Sequence, residues 1–449
     1  MSALNTDLYE LTMAAGYFAA RKSEEVATFE LSVRRLPEKR NFLVAAGLQQ
    51  AVEFLLSLEF RPGELDYLRS LEQFKNVPSE FFKFLAKLRF TGDIFAVPEG
   101  TPVFANEPIA IVRAPLVQAQ LVETYLLSTL AFQTTIASKA ARCLIAAEGR
   151  PIIEFGSRRA HSPAAGILAG RAAYIAGCAG TSNTETGMRF GIPVSGTAAH
   201  SWTMAFPNEE ESFRALQGLL GDSTVFLIDT YDTIEGAHLA ARVGRPFWGV
   251  RLDSGDLHAL SRQVRRILDE AGLHDAKIIA SNDLNEYRLA ELVRSGAPID
   301  VFGVGTELAT SADAASLSAV YKLVELTTEN TLHYVAKFSD EKSTLPGAKQ
   351  IYRYPNCDVI ALYSECNSDF QGEPLLRPIV AQGELLEPLP PLAKLRSKAI
   401  SAVAALPKEL HSLERTVPYP VEISPPLFEL AETIRADHEL AGSSRRPVS

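Results

Sequence analysis

A histidine at the far end of a loop of small residues is the first place where this chain offers chemistry. Ser195, Gly196 and Thr197 follow a short apolar run, two alanines come next, and His200 stands where a helix can begin. Small residues let backbone N–H groups approach a phosphate closely. An imidazole there can carry a proton, bind a metal or act as a nucleophile. A second group, Arg251, Asp253 and Asp256, places one cation and two carboxylates within six residues. Arginine offers phosphate a planar fork of donors. A carboxylate such as Asp253 suits the paired hydroxyls of a ribose, or a hydrated Mg2+. A third group, Gly303, Gly305 and Thr306, has the small residues and hydroxyl that often cradle a phosphate after a strand. Phosphate, sugar diol and metal together indicate a phosphorylated sugar.

Each group follows a run of β-branched and apolar residues. Strands are expected at 151–155, 178–181, 192–195, 224–229, 247–252, 277–281 and 299–304, with 320–326 closing the set. Segments of helical length, such as 256–271 and 284–295, lie between them. Repeated strand–helix units with doubly buried strands mean a parallel sheet covered by helices. Seven or eight units favour a closed, TIM-like α/β barrel over an open sheet. Active sites of such barrels are built from the loops after the strands. Here polar residues gather at those ends: Ser157, Arg158 and Arg159; Thr181, Ser182 and Asn183; Ser195 and Thr197; Asp229 and Asp232; Arg251, Asp253 and Asp256; Ser281, Asn282 and Asp283; Thr306 and Glu307. Stability alone does not require charge at every strand end, so the pattern indicates an enzyme.

Outside this rhythm, 6–16 reads as a helix with Thr6 or Asp7 as its cap. Residues 27–33 alternate as a strand, and 34–40 form a basic loop. Short β runs broken by Pro and Gly at 92–115 read as a small β-sandwich or barrel-like module, with a domain boundary near Pro115. A long helix is expected over 117–148. After 326 come strands at 334–338 and 349–353 that return to the N-terminal module, then a kink at 388–391, helices over 392–436 and a frayed tail.

Hydrophobic residues make up 47% of the 449, ample for two or three domains. The net charge of −10 makes a poor general nucleic-acid binder. Cys143, Cys178, Cys357 and Cys366 lack zinc-ligand spacing, and four in so long a chain argue for a reducing compartment. Asp7 and Glu10 stand where a secretory signal needs basic residues, and the apolar stretch 164–180 is interrupted by Arg171 and too short to span a bilayer. A cytoplasmic protein without nucleic-acid or membrane partners is expected.

The motifs Thr6 to Tyr9, Glu154 to Arg158, Gly180 to Asn183, Ser195 to Ser201, Arg251 to Gly255 and Phe302 to Thr306 occur in an order that resembles nicotinate phosphoribosyltransferases, over roughly residues 5–325. The resemblance implies an irregular α/β barrel (116–326) packed on an α+β domain built from both chain ends (1–115 and 327–449, with a helical tail). It also implies a homodimer whose active sites lie at the subunit interface. The implied reaction joins nicotinate to 5-phosphoribosyl 1-pyrophosphate, giving nicotinate mononucleotide and pyrophosphate, coupled to ATP hydrolysis in NAD biosynthesis.

By resemblance, Asp253 holds the ribose hydroxyls, Arg251 binds phosphate or ribose, and Ser195 and Thr197 belong to the substrate loop. Gly303, Gly305 and Thr306 cradle the 5-phosphate with Asn282 and Asp283 nearby, and Mg2+ travels with the pyrophosphate on ligands that stay unassigned. Phe155 and Tyr9, the latter across the dimer, sandwich the pyridine ring, and Arg158 pairs with its carboxylate. Ser182 and Asn183 replace an acid found in nicotinamide-using relatives, which favours nicotinate. His200 matches the phosphorylated histidine, with Asp229 holding its other nitrogen. No Walker-type loop is present, so ATP would share the same cavity. The competing readings are a nicotinamide or quinolinate transferase, a phosphosugar lyase or isomerase using Lys139, Lys277 or Lys322 as a Schiff base, and a metabolite-binding barrel without catalysis.

Overall fold

The computed structural model describes residues 2–338, 344–365 and 370–443. Cys366 and residues 444–449 of the expected frayed tail lie outside them, whereas the helix Pro425–Ser443 carries order into that tail. The fold is mixed α/β, organised by a six-stranded parallel sheet and a seven-stranded antiparallel sheet. A smaller four-stranded sheet takes Lys349–Arg353, which therefore does not return to the N-terminal strands, and Leu43–Val44 pairs with Pro102–Val103.

Six strands form the parallel sheet, in the order Gly180–Thr181, Ile152–Glu154, Val301–Val304, Lys277–Ala280, Gly249–Leu252 and Val225–Leu227. The strand expected at 192–195 shrinks to a single parallel bridge between Val194 and Thr181. Pro193 has no N–H to give a ladder, but its carbonyl accepts from Thr181 N at 3.1 Å. Gly180 permits this approach, since a Cβ there would lie 2.5 Å from the Pro193 oxygen.

Helices follow the strands and bury their apolar faces on the sheet. Leu257–Glu270 is representative: Leu257, Val264, Ile267 and Leu268 are buried at helical spacing. It starts after Asp256, whose carboxylate caps it by accepting from His258 N and Ala259 N. Phe226, Val250, Ile278 and Phe302, one from each of four neighbouring strands, are fully enclosed. That alternation leaves the strand ends free for polar residues.

The second sheet has seven strands, in the order Thr331–Tyr334, Ala319–Thr328, Val26–Val33, Pro108–Pro115, Asp93–Ala96, Arg377–Ala381 and Glu384–Leu385. Two of the strands in 92–115 therefore belong to this sheet and the third, Pro102–Val103, pairs with Leu43–Val44, so the stretch is not a module of its own. The run 320–326, expected to close the parallel set, belongs here too, antiparallel to Val26–Val33. Tyr321 decides its place: the ring stacks on Phe29 at 4.8 Å, and its hydroxyl donates to Ala119 O at 2.8 Å. The strand expected at 334–338 ends at Tyr334, because Glu329 and Asn330 (φ 50° and 65°) make a two-residue hairpin turn earlier in the chain.

Two helix expectations also shift. The long helix breaks at Val122 into Leu116–Leu121 and Glu123–Ala147. The opening helix Leu8–Ala19 has no side-chain cap. Instead the Asp7 carboxylate accepts from Thr124 Oγ1 at 3.1 Å and Thr6 Oγ1 donates to Leu121 O at 3.4 Å, so both residues join two helices. Among the described residues no helix is long and apolar enough to cross a membrane.

Arg171, the charge interrupting the apolar stretch, is fully buried on Pro163–Ala176. It donates to Glu99 at 2.7 and 2.8 Å and to Gln133 Oε1 at 3.1 Å, and Glu99 also accepts from Gly47 N at 2.6 Å. Burial raises the Glu99 carboxyl pKa, but Arg171 more than offsets it and holds the group below its ordinary range. The pair ties a helix over the parallel sheet to the N-terminal segments. Arg171→Met is expected to lower stability by about 3–5 kcal/mol by stranding Glu99, and Arg171→Met/Glu99→Met to regain most of it, read from urea midpoints. A single variant as stable as the parent would contradict this.

Candidate active site

At the C-terminal ends of the parallel strands lies a cavity of about 520 Å³. Phe155, Arg158, Ser182 and Thr197 line it, together with Arg251, Asp253, Asn282 and Asp283. Gly303, Gly305 and Thr306 complete it, so eleven of the expected residues converge on one space.

Arg251 organises it. Its Nε donates to Ser281 Oγ at 2.8 Å, and its two terminal nitrogens donate to Thr197 Oγ1 and Asp253 Oδ1, each at 2.7 Å. Ser281 in turn donates to Asp253 Oδ1. Three loops are thereby locked together, and the guanidinium carbon lies 5.6 Å from the Phe155 ring centroid. The ring rests directly on the next strand: a Cβ at Gly303 would sit 2.5 Å from it. Gly303 thus serves to seat the aromatic, while Gly305 has ordinary room around it. Behind Phe155, the buried Glu154 accepts from Thr181 Oγ1 at 2.6 Å and from Gly156 N, and burial raises its carboxyl pKa. Asn282 and Asp283 adopt φ of 94° and 42°, sparsely populated for residues with side chains. Such loops persist where their surroundings hold them.

His200 begins the helix His200–Met204, and its side chain is 41% exposed. Its Nδ1 meets Thr230 Oγ1 at 3.2 Å, and Nε2 stands 3.7 Å from Asp253 Oδ2. Asp229, expected on the imidazole, points elsewhere: it accepts from Asp253 N and Ser254 Oγ, both at 2.7 Å. Neighbouring side chains leave the backbone in different directions, so the hydroxyl of Thr230 takes the place meant for Asp229. Asp229 also has a buried oxygen without a hydrogen-bond partner among the described residues. Burial, followed by the charges of Asp229 and Asp232, pushes the carboxyl of Glu209 up to about 7.

Three other expected residues stand outside the lining. Asn183 caps Thr184–Phe190, accepting from Thr186 N at 2.8 Å and donating to Ser157 Oγ at 3.1 Å. Ser195 is exposed and gives its N–H to Thr181 O at 3.0 Å. Tyr9 lies on the opening helix, about half exposed, its phenol pKa raised by burial and by Glu123. Arg40, at the end of the basic loop 34–40, is buried against Ser311 and Asp313.

No lysine lines the cavity among the described residues. Lys139 is enclosed by carboxylates, Lys277 pairs with Asp300 at 3.3 Å at the opposite end of its strand, and Lys322 belongs to the antiparallel sheet. A Schiff-base lyase therefore has no amine here. Ser281 and Arg159, strand-end polar residues to which the sequence assigned no role, also line the cavity. Ser281 carried a signal as the polar residue ending its strand. The backbone N–H of Arg159 donates to Gly156 O at 2.8 Å, but neither guanidinium, of Arg158 or of Arg159, has a hydrogen bond or ion pair among the described residues. The cavity offers free guanidinium groups, a flat aromatic floor and carboxylates for hydroxyls or a hydrated cation.

Residues 4–131 match the nicotinate phosphoribosyltransferase (NAPRTase) N-terminal domain, 151–345 the nicotinate phosphoribosyltransferase (NAPRTase) family and 337–431 the nicotinate phosphoribosyltransferase C-terminal domain. The chain is 44% identical to nicotinate phosphoribosyltransferase pncB2 of Mycobacterium tuberculosis, covering 97% of this chain and 95% of that one. It is 42% identical to nicotinate phosphoribosyltransferase of Bacillus subtilis, over 84% and 79% of the two chains. The crystal structure of human nicotinic acid phosphoribosyltransferase superposes with a TM-score of 0.82 at 28% identity, over 96% of this chain and 99% of that one. With its arginine-clamped cavity at the ends of a parallel sheet and these matches along its length, the chain belongs to the nicotinate phosphoribosyltransferase family, enzymes of NAD biosynthesis.

Proposed function

We propose that the cavity joins nicotinate to 5-phosphoribosyl 1-pyrophosphate, releasing pyrophosphate, and that ATP drives the cycle through phosphorylation of His200. The observation carrying this reading is the placement of Phe155, Arg158, Asp253 and Thr306 around one space. The pyridine ring lies on Phe155, and its nitrogen lone pair attacks C1 of the ribose as pyrophosphate departs with the bonding electrons. That nitrogen carries no proton, so no general base is needed. What remains is to hold the diol, steady the oxocarbenium-like ribose and aim the ring.

Asp253 takes the ribose hydroxyls with the oxygen that Arg251 leaves free. Gly305 and Thr306, at the start of Thr306–Thr310, face the 5-phosphate. Arg158 and Arg159 are the available cations for the substrate carboxylate and the leaving group, since Arg251 is committed to protein partners. Ser182 brings no negative charge into the pocket, which supports nicotinate over nicotinamide. Asp283 alone among the lining carboxylates is left to face a hydrated Mg2+ that arrives on pyrophosphate and would screen the leaving charge.

Thr230 fixes the imidazole by accepting from Nδ1–H, which leaves the Nε2 lone pair to attack the γ-phosphoryl of ATP while ADP leaves. Hydrolysis of the phosphohistidine resets the site. The subunits form a cytoplasmic homodimer in which Tyr9, exposed and outside the lining of its own cavity, closes the neighbour's pyridine site. The Val194 bridge, which lengthens the parallel sheet beyond its Gly180–Thr181 edge, supports reading it as an irregular barrel packed on an α+β domain from both chain ends.

Incubated with ATP labelled at the γ-phosphate, the enzyme is expected to acquire acid-labile phosphate; His200→Ala should acquire none and keep weak, ATP-independent transferase activity. Labelling that survives in His200→Ala would end the phosphohistidine reading. In parallel assays nicotinate should exceed nicotinamide and quinolinate in kcat/KM by about a hundredfold or more. Gly303→Ala should tip the Phe155 ring and raise the KM for nicotinate about tenfold, with a smaller effect on phosphoribosyl pyrophosphate. Equal effects on both substrates would mean the ring does not floor the pyridine site.

A further inference from the structure

The short helix Thr306–Thr310 stands on a cluster of charges that the reaction does not use. Lys139, on Glu123–Ala147, has a side chain only 1% exposed and sits among three carboxylates. Glu286 lies against it, Asp313 is 2.8 Å away and Glu307 3.7 Å. Arg40 holds Asp313 at 3.0 Å, and Arg142 holds Glu286 at 2.8 Å. Three cations therefore balance three anions. Burial draws the Lys139 pKa down, but the charge of Glu286 and its other partners more than offset this, so the ammonium stays protonated.

Two of the carboxylates belong to the stretch that follows the glycine loop. Glu307 adjoins Thr306, which lines the cavity, and its side chain is 31% exposed, unlike the fully buried Glu286. A carboxylate at the edge of an anion site repels the incoming anion unless a cation cancels it. Lys139 is the cation paired with Glu307, and its hold on Asp313 fastens the same segment from below.

We propose that Lys139 is a positioning residue for phosphoribosyl pyrophosphate: it neutralises Glu307 beside the phosphate loop and anchors the segment that carries it. The inference rests on Gly305 and Thr306 receiving the 5-phosphate. Lys139 touches no substrate and acts through Glu307.

Steady-state constants of the full-length enzyme test it, with thermal melts to confirm folding. Lys139→Met is expected to raise the KM for phosphoribosyl pyrophosphate about tenfold and leave that for nicotinate within about twofold. Adding Glu307→Gln should restore most of the loss, because the exposed carboxylate is then gone, and Lys139→Arg should stay near the parent. If Lys139→Met does not fold, Lys139→Met/Asp313→Asn keeps the cluster neutral, with two charges of each sign, and still strips Glu307 of its cation. The same rise and the same rescue by Glu307→Gln are then expected. An unchanged KM for phosphoribosyl pyrophosphate in either folded variant, an equal rise for both substrates, or no rescue overturns the proposal. Thr306→Ala separates the two layers. If it leaves that KM unchanged, the phosphate loop is misplaced and the proposal falls with it; if it raises the KM while the Lys139 variants do not, only the role of Lys139 fails.

Discussion

The Arg251 guanidinium bonds Thr197, Asp253 and Ser281 at once, and the shape of the cavity depends on that junction. Strand ends in a parallel sheet are flexible where the ladder stops, and their loops have no backbone pairing to hold them. A planar, permanently charged group with several donors can fix several loops in one geometry. The same plane faces Phe155, so the aromatic floor and the polar wall are set by one side chain. This has a chemical consequence. An arginine whose donors are already directed at protein is a poor first choice for a mobile phosphate, which turns attention to Arg158 and Arg159.

Away from the cavity lining, buried charge does the bracing that apolar packing cannot direct. Arg171 with Glu99, and the cluster around Lys139, each join segments far apart in sequence. A third site pairs Arg353 with Asp358, beside Glu107, whose carboxyl is raised well above its ordinary range first by burial and then by Asp358. Buried ion pairs are weak contributors to stability but demanding in geometry, because breaking one leaves an uncompensated charge. They suit a protein that must keep loops from distant strands in register around a multiply charged substrate.

Much of the architecture was legible in the residues. Regular returns of apolar runs marked every strand of the parallel sheet, because strands buried on both faces are built mainly from apolar residues, even where one, such as Glu154 or Arg251, is polar. The polar residues ending those runs then named most of the cavity. The failures share one cause. Residues 320–326 read as a buried strand and are one, but which sheet receives a strand depends on partners hundreds of residues away. Asn183 and Asp229 were rightly placed at strand ends, yet a side chain at such an end can turn toward the cavity, a helix cap or a backbone N–H. Asn183 caps and Asp229 braces the loop at 253–254.

Composition, periodicity and six short motifs were enough to determine the α/β class, the run of strands and the family chemistry, because local residue pattern dictates local structure and motifs sit at fixed chain positions. Tertiary structure alone decided that Thr230 meets His200, that Gly303 seats Phe155, that Arg40 is buried against Ser311 and that Lys139 stands against Glu307, beside Thr306. Those are contacts between residues distant in the chain, set by the direction of each side chain and by the charge left to be balanced when the elements pack.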